Sequence, residues 1–170
     1  MNRMTIKLAT WVVTGLIAFD ALSETGYPLE SDVASLDAII RAYYDVISGP
    51  AGYQYDVKRD QSLHAPDAII TRITADGSLQ RHDLATEQLP LREPYAEGFF
   101  EHEISRIVEE YGGLAHVWST YEVRSTPDGA ATSRGVNSIS LFYHADRWWI
   151  ASWSTQLEGK SPLPSKYVTK

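Results

Sequence analysis

The alternation of hydrophobic and polar residues is most regular in the last third of the chain. Residues 113–124, 134–144 and 147–157 are three runs rich in β-branched and aromatic side chains, which favour strands. Turn-forming residues separate the runs, at Pro127-Asp128-Gly129 and at Ala145-Asp146. The pattern therefore predicts an antiparallel meander at the end of the domain.

The two-residue turn at Ala145-Asp146 also predicts a register, because the turn length of a hairpin decides which residues face each other. Residues equidistant from this turn should share a face. One face then carries Tyr143, Leu141, Ile139, Asn137 and Gly135 opposite Trp148, Ile150, Ser152, Ser154 and Gln156. The other carries Phe142, Ser140, Ser138 and Val136 opposite Trp149, Ala151, Trp153 and Thr155. Both faces are partly apolar, so we expect both to be covered.

Helical periodicity precedes the meander. Apolar residues at helical spacing predict a helix that is capped by Ser31 or Asp32 and ends near Ile47. A shorter helix is predicted over residues 56–64, ahead of Pro66, and a strand over residues 68–74. Residues 84–94 are polar and proline-bearing, which predicts a loop with at most one helical turn.

Residues 99–111 fit two patterns. Ile104, Ile107 and Val108 recur at helical spacing, whereas Phe100, His102, Ile104, Arg106 and Val108 alternate as in a strand. We expect a strand, because the meander would otherwise lack a neighbour. In that strand Glu101 and Glu103 share one face and His102 lies on the other.

Length and composition predict one globular domain of 170 residues. The formal net charge is −7, and the sequence has no cluster of Lys and Arg that would form a basic patch. We therefore expect no nucleic-acid partner. The sequence contains no cysteine, which excludes disulfides and a thiol nucleophile.

The first 23 residues have the pattern of a signal peptide. Arg3 and Lys7 precede a short apolar run at residues 8–19, and Ala21-Leu22-Ser23 fits a cleavage site. We expect cleavage there and a periplasmic or secreted protein that leaves the membrane; the alternatives are an uncleaved anchor and a misassigned start codon. Residues 24–30 are predicted to be a linker, 31–157 the domain and 158–170 a C-terminal tail.

Several segments resemble one superfamily. They read YDVISGPAG at 44–52, APDA at 65–68, GFFEHEI at 98–104, HVWSTYE at 116–122, RGVNSI at 134–139 and RWWI at 147–150. Together with the element order, they resemble the nuclear transport factor two-like superfamily, which includes SnoaL-like and ketosteroid-isomerase-like proteins, and in particular an uncharacterised bacterial branch. The DVKRD segment at 56–60 departs from that branch, where an aromatic-rich repeat is usual.

The resemblance implies an α+β fold, with N-terminal helices packed on a strongly bent, mostly antiparallel sheet that forms a conical pocket. The fold hosts isomerases, dehydratases, hydrolases and non-catalytic binding modules, so it does not by itself name an activity. Two hypotheses follow. The first is an exported domain that binds a small, partly apolar molecule or acts as an accessory module. The second is a small-molecule isomerase, dehydratase or hydrolase that uses acid/base residues in the pocket.

Polar residues that could enter such a pocket are His64, Glu101, His102, Glu103, His116, Tyr121, Asn137, Ser154 and Gln156. His102, Tyr121 and Asn137 would make a proton-transfer site. The alternative is that both glutamates are solvated and that His102 and Tyr121 are simply hydrogen-bonded. We expect the ligand to contact Tyr43, Ile139, Ser152, Ser154 and Gln156. The histidines lack metal-ligand spacing, so we expect no metal and no cofactor.

The aromatic side chains of the hairpin predict an interface. Phe142, Trp149 and Trp153 share one predicted face, and the helices can cover only the other. Large contiguous apolar patches usually mark interfaces. We therefore expect a homodimer that packs through these three side chains.

Overall fold

The computed structural model describes residues 26–89, 93–159 and 162–168. The predicted signal peptide and its cleavage site lie outside these residues. The helices are α1 (Glu30–Val33), α2 (Leu36–Ile47), α3 (Val57–Leu63) and α4 (Leu84–Glu87), with a 3-10 helix at Ser165–Tyr167. The strands are β1 (His64–Ile73), β2 (Leu79–Asp83), β3 (Phe100–Tyr111), β4 (Leu114–Arg124), β5 (Ala131–His144) and β6 (Arg147–Leu157).

The six strands form one open sheet in the order β2-β1-β6-β5-β4-β3. Strand β1 runs parallel to β6, and every other neighbouring pair is antiparallel. The helices pack on this mixed sheet, which confirms the predicted α+β fold class. The strand prediction for residues 99–111 is also confirmed, since β3 pairs along its length with β4.

Helix α2 is the long helix of the domain and covers one face of the sheet. Its N-cap is Ser35, whose hydroxyl oxygen accepts a hydrogen bond from the backbone amide of Ala38 at 3.1 Å. The prediction of a cap at Ser31 or Asp32 is wrong, because the chain makes the separate turn α1 and breaks before Ser35. Of the predicted apolar stripe, Ile40, Tyr44 and Ile47 are buried and Leu36 and Tyr43 are partly buried. Ile39 and Val46, outside that stripe, are also fully buried.

Helix α3 forms where the pattern predicts it, and Asp56 caps it by accepting from the backbone amide of Arg59 at 2.9 Å. Arg59 also reaches back to α1 and binds both carboxylate oxygens of Asp32, at 2.8 and 3.0 Å. Strand β1 begins at His64, immediately after α3 and earlier than the predicted residue 68. No loop therefore separates α3 from the first strand of the sheet.

The hairpin of β5 and β6 has the predicted turn but not the predicted register along its whole length. Ala145 and Asp146 both have positive φ, 52° and 60°, as a two-residue type I′ turn requires. Leu141 pairs with Ile150 as predicted, but Ser140 then pairs with Ser152. Ala151 is therefore an extra residue, a β-bulge in β6. From Ser152 onward, each side chain of β6 lies on the face opposite to the one predicted.

Because of this bulge, Trp153 pairs with Ile139 and lies on the helix-covered face, which we call the inner face. Trp153 is 2% exposed, so its predicted place in a dimer interface is wrong. Trp149 does lie on the opposite, outer face near Phe142, but the guanidinium of Arg147 covers its ring at 3.6 Å. The fold thus shields two of the three side chains of the predicted interface within the chain itself.

The C-terminal segment folds back over the outer face. The ring centroid of Tyr167, in the 3-10 helix, lies 5.4 Å from the ring centroid of Trp118 on β4. Glu158 holds the start of this segment by accepting hydrogen bonds from Arg134 and from the backbone amide of Leu163. Within the described ranges, no helix is long and apolar enough to cross a membrane.

Candidate functional site

A cavity opens between the inner face of the sheet and the helices. It has two lobes that share part of their lining. The helix lobe, about 390 Å³, includes Asp60, His64 and Gln88 in its lining. The sheet lobe, about 220 Å³, includes Tyr121, Asn137 and Thr155. The residues common to both are Tyr43, Ile70, Arg72, Glu87, Phe99 and Glu101.

Aromatic rings form much of the cavity wall. Tyr43 on α2 stacks on Trp153 on β6, and Tyr95 meets Phe99 edge to face with centroids 6.0 Å apart. The Tyr95 hydroxyl donates to the carbonyl oxygen of Ile47 at 2.7 Å, which ties this wall to the end of α2. Such a lining is suited to a small, partly apolar molecule, and the volume lies in the range of ligand sites.

Glu101 is one of three charged residues that line both lobes, together with Arg72 and Glu87. It projects from β3, is partly buried and lines both lobes. Burial raises the pKa of its carboxyl to about 7, although a hydrogen bond from Asn137 and the charge of Arg72 act in the opposite direction. A carboxyl with this pKa exchanges protons near neutral pH, as a general acid or base must.

A chain of hydrogen bonds fixes the side chains behind Glu101. Arg106 binds the Glu103 carboxylate with its Nε at 2.9 and 3.0 Å from the two oxygens. The Ser119 hydroxyl donates to the same carboxylate, and the Tyr44 hydroxyl lies 2.6 Å from Ser119 Oγ. Asn137 Nδ2 donates to the Tyr44 oxygen at 3.1 Å. The chain therefore runs from the edge strand to Asn137 in the sheet lobe.

A second polar cluster lines the helix lobe. Asp60, His64 and Gln88 are each at most 2% exposed. Gln88 Nε2 donates to Asp60 Oδ2, and Gln61 Nε2 donates to Gln88 Oε1 at 2.9 Å. His64 Nδ1 lies 2.9 Å from the carbonyl oxygen of Asp60. Asp60 belongs to α3, His64 is the first residue of β1 and Gln88 directly follows α4, and the hydrogen bonds hold the three side chains in place.

The three residues of the predicted proton-transfer site do not come together. His102 pairs with Glu122, whereas Tyr121 pairs with Glu103 and Asn137 with Ser119, so strand alternation places His102 on the outer face. Tyr121 and Asn137 do meet in the sheet lobe. The Tyr121 hydroxyl is engaged with Thr155 Oγ1 at 2.9 Å, and burial raises its pKa to about 12.

Only some of the predicted ligand contacts lie on the inner face of the sheet. Tyr43 lines both lobes, and Ile139 is fully buried in the core of the inner face. Ser152, Ser154 and Gln156 pair with Ser140, Ser138 and Val136, which places them on the outer face and not in the cavity. The Ala151 bulge is the reason, since it reverses which residues of β6 face inward.

Glu101 was among the sequence candidates but outside the predicted site. Its alternation with Glu103 predicts a shared face, which is correct, yet a pair of glutamates on one face resembles a solvated surface. His64 was also a candidate without an assigned role. Across the described part of the chain, no group of three or more His, Asp and Glu side chains is arranged to hold a metal ion.

No protein-family model matches this sequence, and neither does any curated protein. Solved structures do match it. A protein of unknown function with a cystatin-like fold from Nostoc punctiforme superposes with a TM-score of 0.57 at 11% identity, over 76% of this chain and 92% of that one. A nuclear transport factor two-like protein of unknown function from Silicibacter pomeroyi gives 0.52 at 16% identity, over 73% and 93%.

A proposed aromatic ring hydroxylase from Novosphingobium aromaticivorans gives a TM-score of 0.56 at 15% identity, over 81% of this chain and 94% of that one. At such identities the likeness is one of fold. It confirms the predicted nuclear transport factor two-like fold, and the geometry of this chain's own cavity has to carry any argument about activity.

Proposed function

We propose that this chain, which has the nuclear transport factor two-like fold, is an exported domain that binds a small, partly apolar molecule in its two-lobed cavity. The observation that carries the proposal is the cavity itself, because aromatic and aliphatic side chains form a continuous part of its lining beside the polar and charged groups. Tyr43, Phe99 and Ile70 border both lobes, so a ligand in either lobe contacts them.

Saturation-transfer NMR with small aromatic probes, such as phenol and toluene, tests this proposal. Ala96 is exposed and lines the helix lobe, so Ala96→Trp should obstruct the cavity without disturbing the core. Ala131→Trp, at an exposed position outside both lobes, is the matched control. We expect probe signals from the wild type and from Ala131→Trp but not from Ala96→Trp. Equal signals from all three proteins would contradict binding in the cavity.

The second candidate function is catalysis of proton transfer, as in an isomerase or a dehydratase. The pKa of Glu101, raised to about 7 inside the cavity, favours it, since the carboxyl can take a proton from a bound molecule and return it. Glu101→Gln keeps the shape of the side chain and removes the exchangeable carboxyl. In a screen for hydrogen–deuterium exchange of bound carbonyl compounds, we expect the wild type to exchange and Glu101→Gln to be inactive.

We also propose that the domain is a homodimer, with Phe142 on the outer face as a contact. The face around it includes Leu114, which is 64% exposed and pairs with Phe142 across β4 and β5. Phe142→Glu should therefore shift sedimentation at micromolar concentration from dimer to monomer. His144→Glu, at an exposed position near the turn, is the control. A wild type that sediments as a monomer would contradict this part.

Export is proposed on the strength of the N-terminal sequence pattern alone. Expression in a bacterial host with a working secretion system, followed by mass spectrometry, should show a new N-terminus near Glu24. An intact Met1 in a cytosolic product would contradict it.

A further inference from the structure

Three residues of the cavity lining each have a buried hydrogen-bond acceptor with no partner within the described residues: Oδ1 of Asp60, Nε2 of His64 and Oδ1 of Asn137. Buried polar atoms in proteins are nearly always hydrogen-bonded, so each unpartnered atom calls for an explanation. His64 belongs to the helix lobe and Asn137 to the sheet lobe. Both side chains are almost wholly buried, at 2% and 1% exposure.

The hydrogen bonds of His64 determine which of its nitrogens carries the proton. Nδ1 lies 2.9 Å from the backbone carbonyl oxygen of Asp60, and a carbonyl oxygen only accepts. Nδ1 is therefore the donor, and in the neutral ring Nε2 has a free lone pair. The Asp60 carboxylate, 3.7 Å from Nδ1, supports the same tautomer.

The orientation of the Asn137 amide follows from the chain behind it. The Glu103 carboxylate accepts from Ser119, so Ser119 must in turn accept from the Tyr44 hydroxyl. The Tyr44 oxygen is then left as an acceptor for the Asn137 amide nitrogen, at 3.1 Å. With the amide nitrogen directed at Tyr44, Oδ1 remains as an unpaired acceptor.

The unpartnered polar atoms that the structure describes in the cavity lining are thus acceptors. Arg72, which lines both lobes, is a donor, and its guanidinium binds the Glu87 carboxylate at 2.8 Å. A ligand that brings hydrogen-bond donors satisfies His64 and Asn137, whereas a carboxylate or phosphate would add acceptors beside Glu101 and leave both atoms unpaired. Aromatic rings, including those of Tyr43 and Phe99, line both lobes. The site therefore favours a neutral ring compound that carries hydroxyl groups over an anion or a plain hydrocarbon.

We propose, resting on the proposed function, that the ligand is a neutral ring compound with at least two hydroxyl or N–H donors. His64 Nε2 accepts one donor and Asn137 Oδ1 accepts the other. The acid/base role of Glu101 is not required for this recognition, so the inference concerns which molecules bind and not what happens to them.

Resorcinol and m-xylene test this inference, because they have nearly the same shape and differ in carrying two hydroxyls or two methyls. Benzoate serves as the anionic probe. The affinity of each is measured by NMR titration of the purified protein at pH 7.5. We expect wild-type protein to bind resorcinol at least tenfold more tightly than m-xylene or benzoate.

The variants His64→Phe and Asn137→Leu each remove one acceptor, and each should reduce the preference for resorcinol over m-xylene about tenfold. His116→Phe is the control, because this histidine bonds Ser138 on the outer face. Should either cavity variant fail to fold, the affinities of wild-type protein for the three probes still test the preference for a ligand with two donors.

The possible outcomes separate the two proposals. Equal binding of resorcinol and m-xylene, or tighter binding of m-xylene or benzoate, would overturn this inference and leave binding in the cavity intact. A preference for resorcinol that survives both cavity variants would overturn the assigned acceptors. Failure of all three probes to bind would overturn the proposed function, and this inference with it.

Discussion

The ring of Tyr43 lies against the ring of Trp153, with centroids 3.6 Å apart and planes inclined by 26°. This contact joins helix α2 to the sheet at the place where the two cavity lobes meet. It also explains why Trp153 belongs to the interior: the Ala151 bulge turns the side chain toward α2, and the helix covers it. The stack is therefore both a part of the core and a wall of the site.

Trp153→Ala should destabilise the domain by about 3–5 kcal/mol, because it removes a large buried ring and leaves a cavity. Urea unfolding followed by circular dichroism measures this free energy. Trp118→Ala is the control, since Trp118 is partly exposed on the outer face, and its effect should be smaller. Similar unfolding midpoints for Trp153→Ala and wild type would place Trp153 outside the core.

Leu141 and Ile150 face each other in the hairpin and are 2% and 0% exposed. Either one changed to alanine should lower the free energy of unfolding by roughly 2–5 kcal/mol. Leu114→Ala, at a position 64% exposed, should cost much less. Denaturant midpoints that do not separate these variants would show that the faces of the hairpin are assigned incorrectly.

The turn and first pairs of this hairpin were predictable because positive φ at two adjacent residues and strand alternation are local properties. The bulge at Ala151 was not. Nothing in the residues around it resembles a bulge signal, and its position depends on how β6 pairs with β1 on one side and with β5 on the other. One extra residue was enough to exchange Trp153 with Ser152 and Ser154 between the two faces.

The site was predictable only in part for a related reason. Tyr43, Tyr121 and Asn137 were expected in the pocket and do line it. The burial of Glu101 depends on how closely α2 and the segment around Phe99 approach β3, which is a long-range property. The parallel pairing of β1 with β6, which brings His64 into the helix lobe, likewise leaves no local pattern in the sequence.

Glu101 should make the stability of the domain depend on pH. Its pKa is about 7 in the folded protein against 4.5 for an ordinary glutamate, so the folded state holds the proton more tightly than the unfolded state. The carboxyl contributes stability that is complete below pH 4.5 and is lost as the pH rises through 7. A shift of this size corresponds to at most about 3 kcal/mol.

Urea unfolding of wild type and Glu101→Gln from pH 4.5 to pH 8 measures this dependence. Relative to the variant, the wild type should lose stability across that interval. Glu110→Gln, at an exposed position, should track the wild type. Parallel curves for wild type and Glu101→Gln would mean that the carboxyl titrates alike in the folded and unfolded chains.

Gly135 gives Tyr121 its place in the sheet lobe. A Cβ at this position would lie 2.5 Å from the Tyr121 hydroxyl oxygen and 2.7 Å from the carbonyl oxygen of Gln156. Gly135→Ala should therefore destabilise the domain by about 1–3 kcal/mol and displace the Tyr121 ring. Gly113→Ala meets its nearest atom only at 3.4 Å and should be close to neutral in a thermal unfolding comparison.

The central claim is that the carboxyl of Glu101 titrates near neutrality inside a cavity that is able to receive a small molecule. Carbon-13 NMR of the glutamate side-chain carboxyls, with the Glu101 resonance assigned by its loss in Glu101→Gln, follows this group directly. The account predicts a midpoint near pH 7 for Glu101. A midpoint near 4.5, the ordinary value for a solvated glutamate, would contradict it.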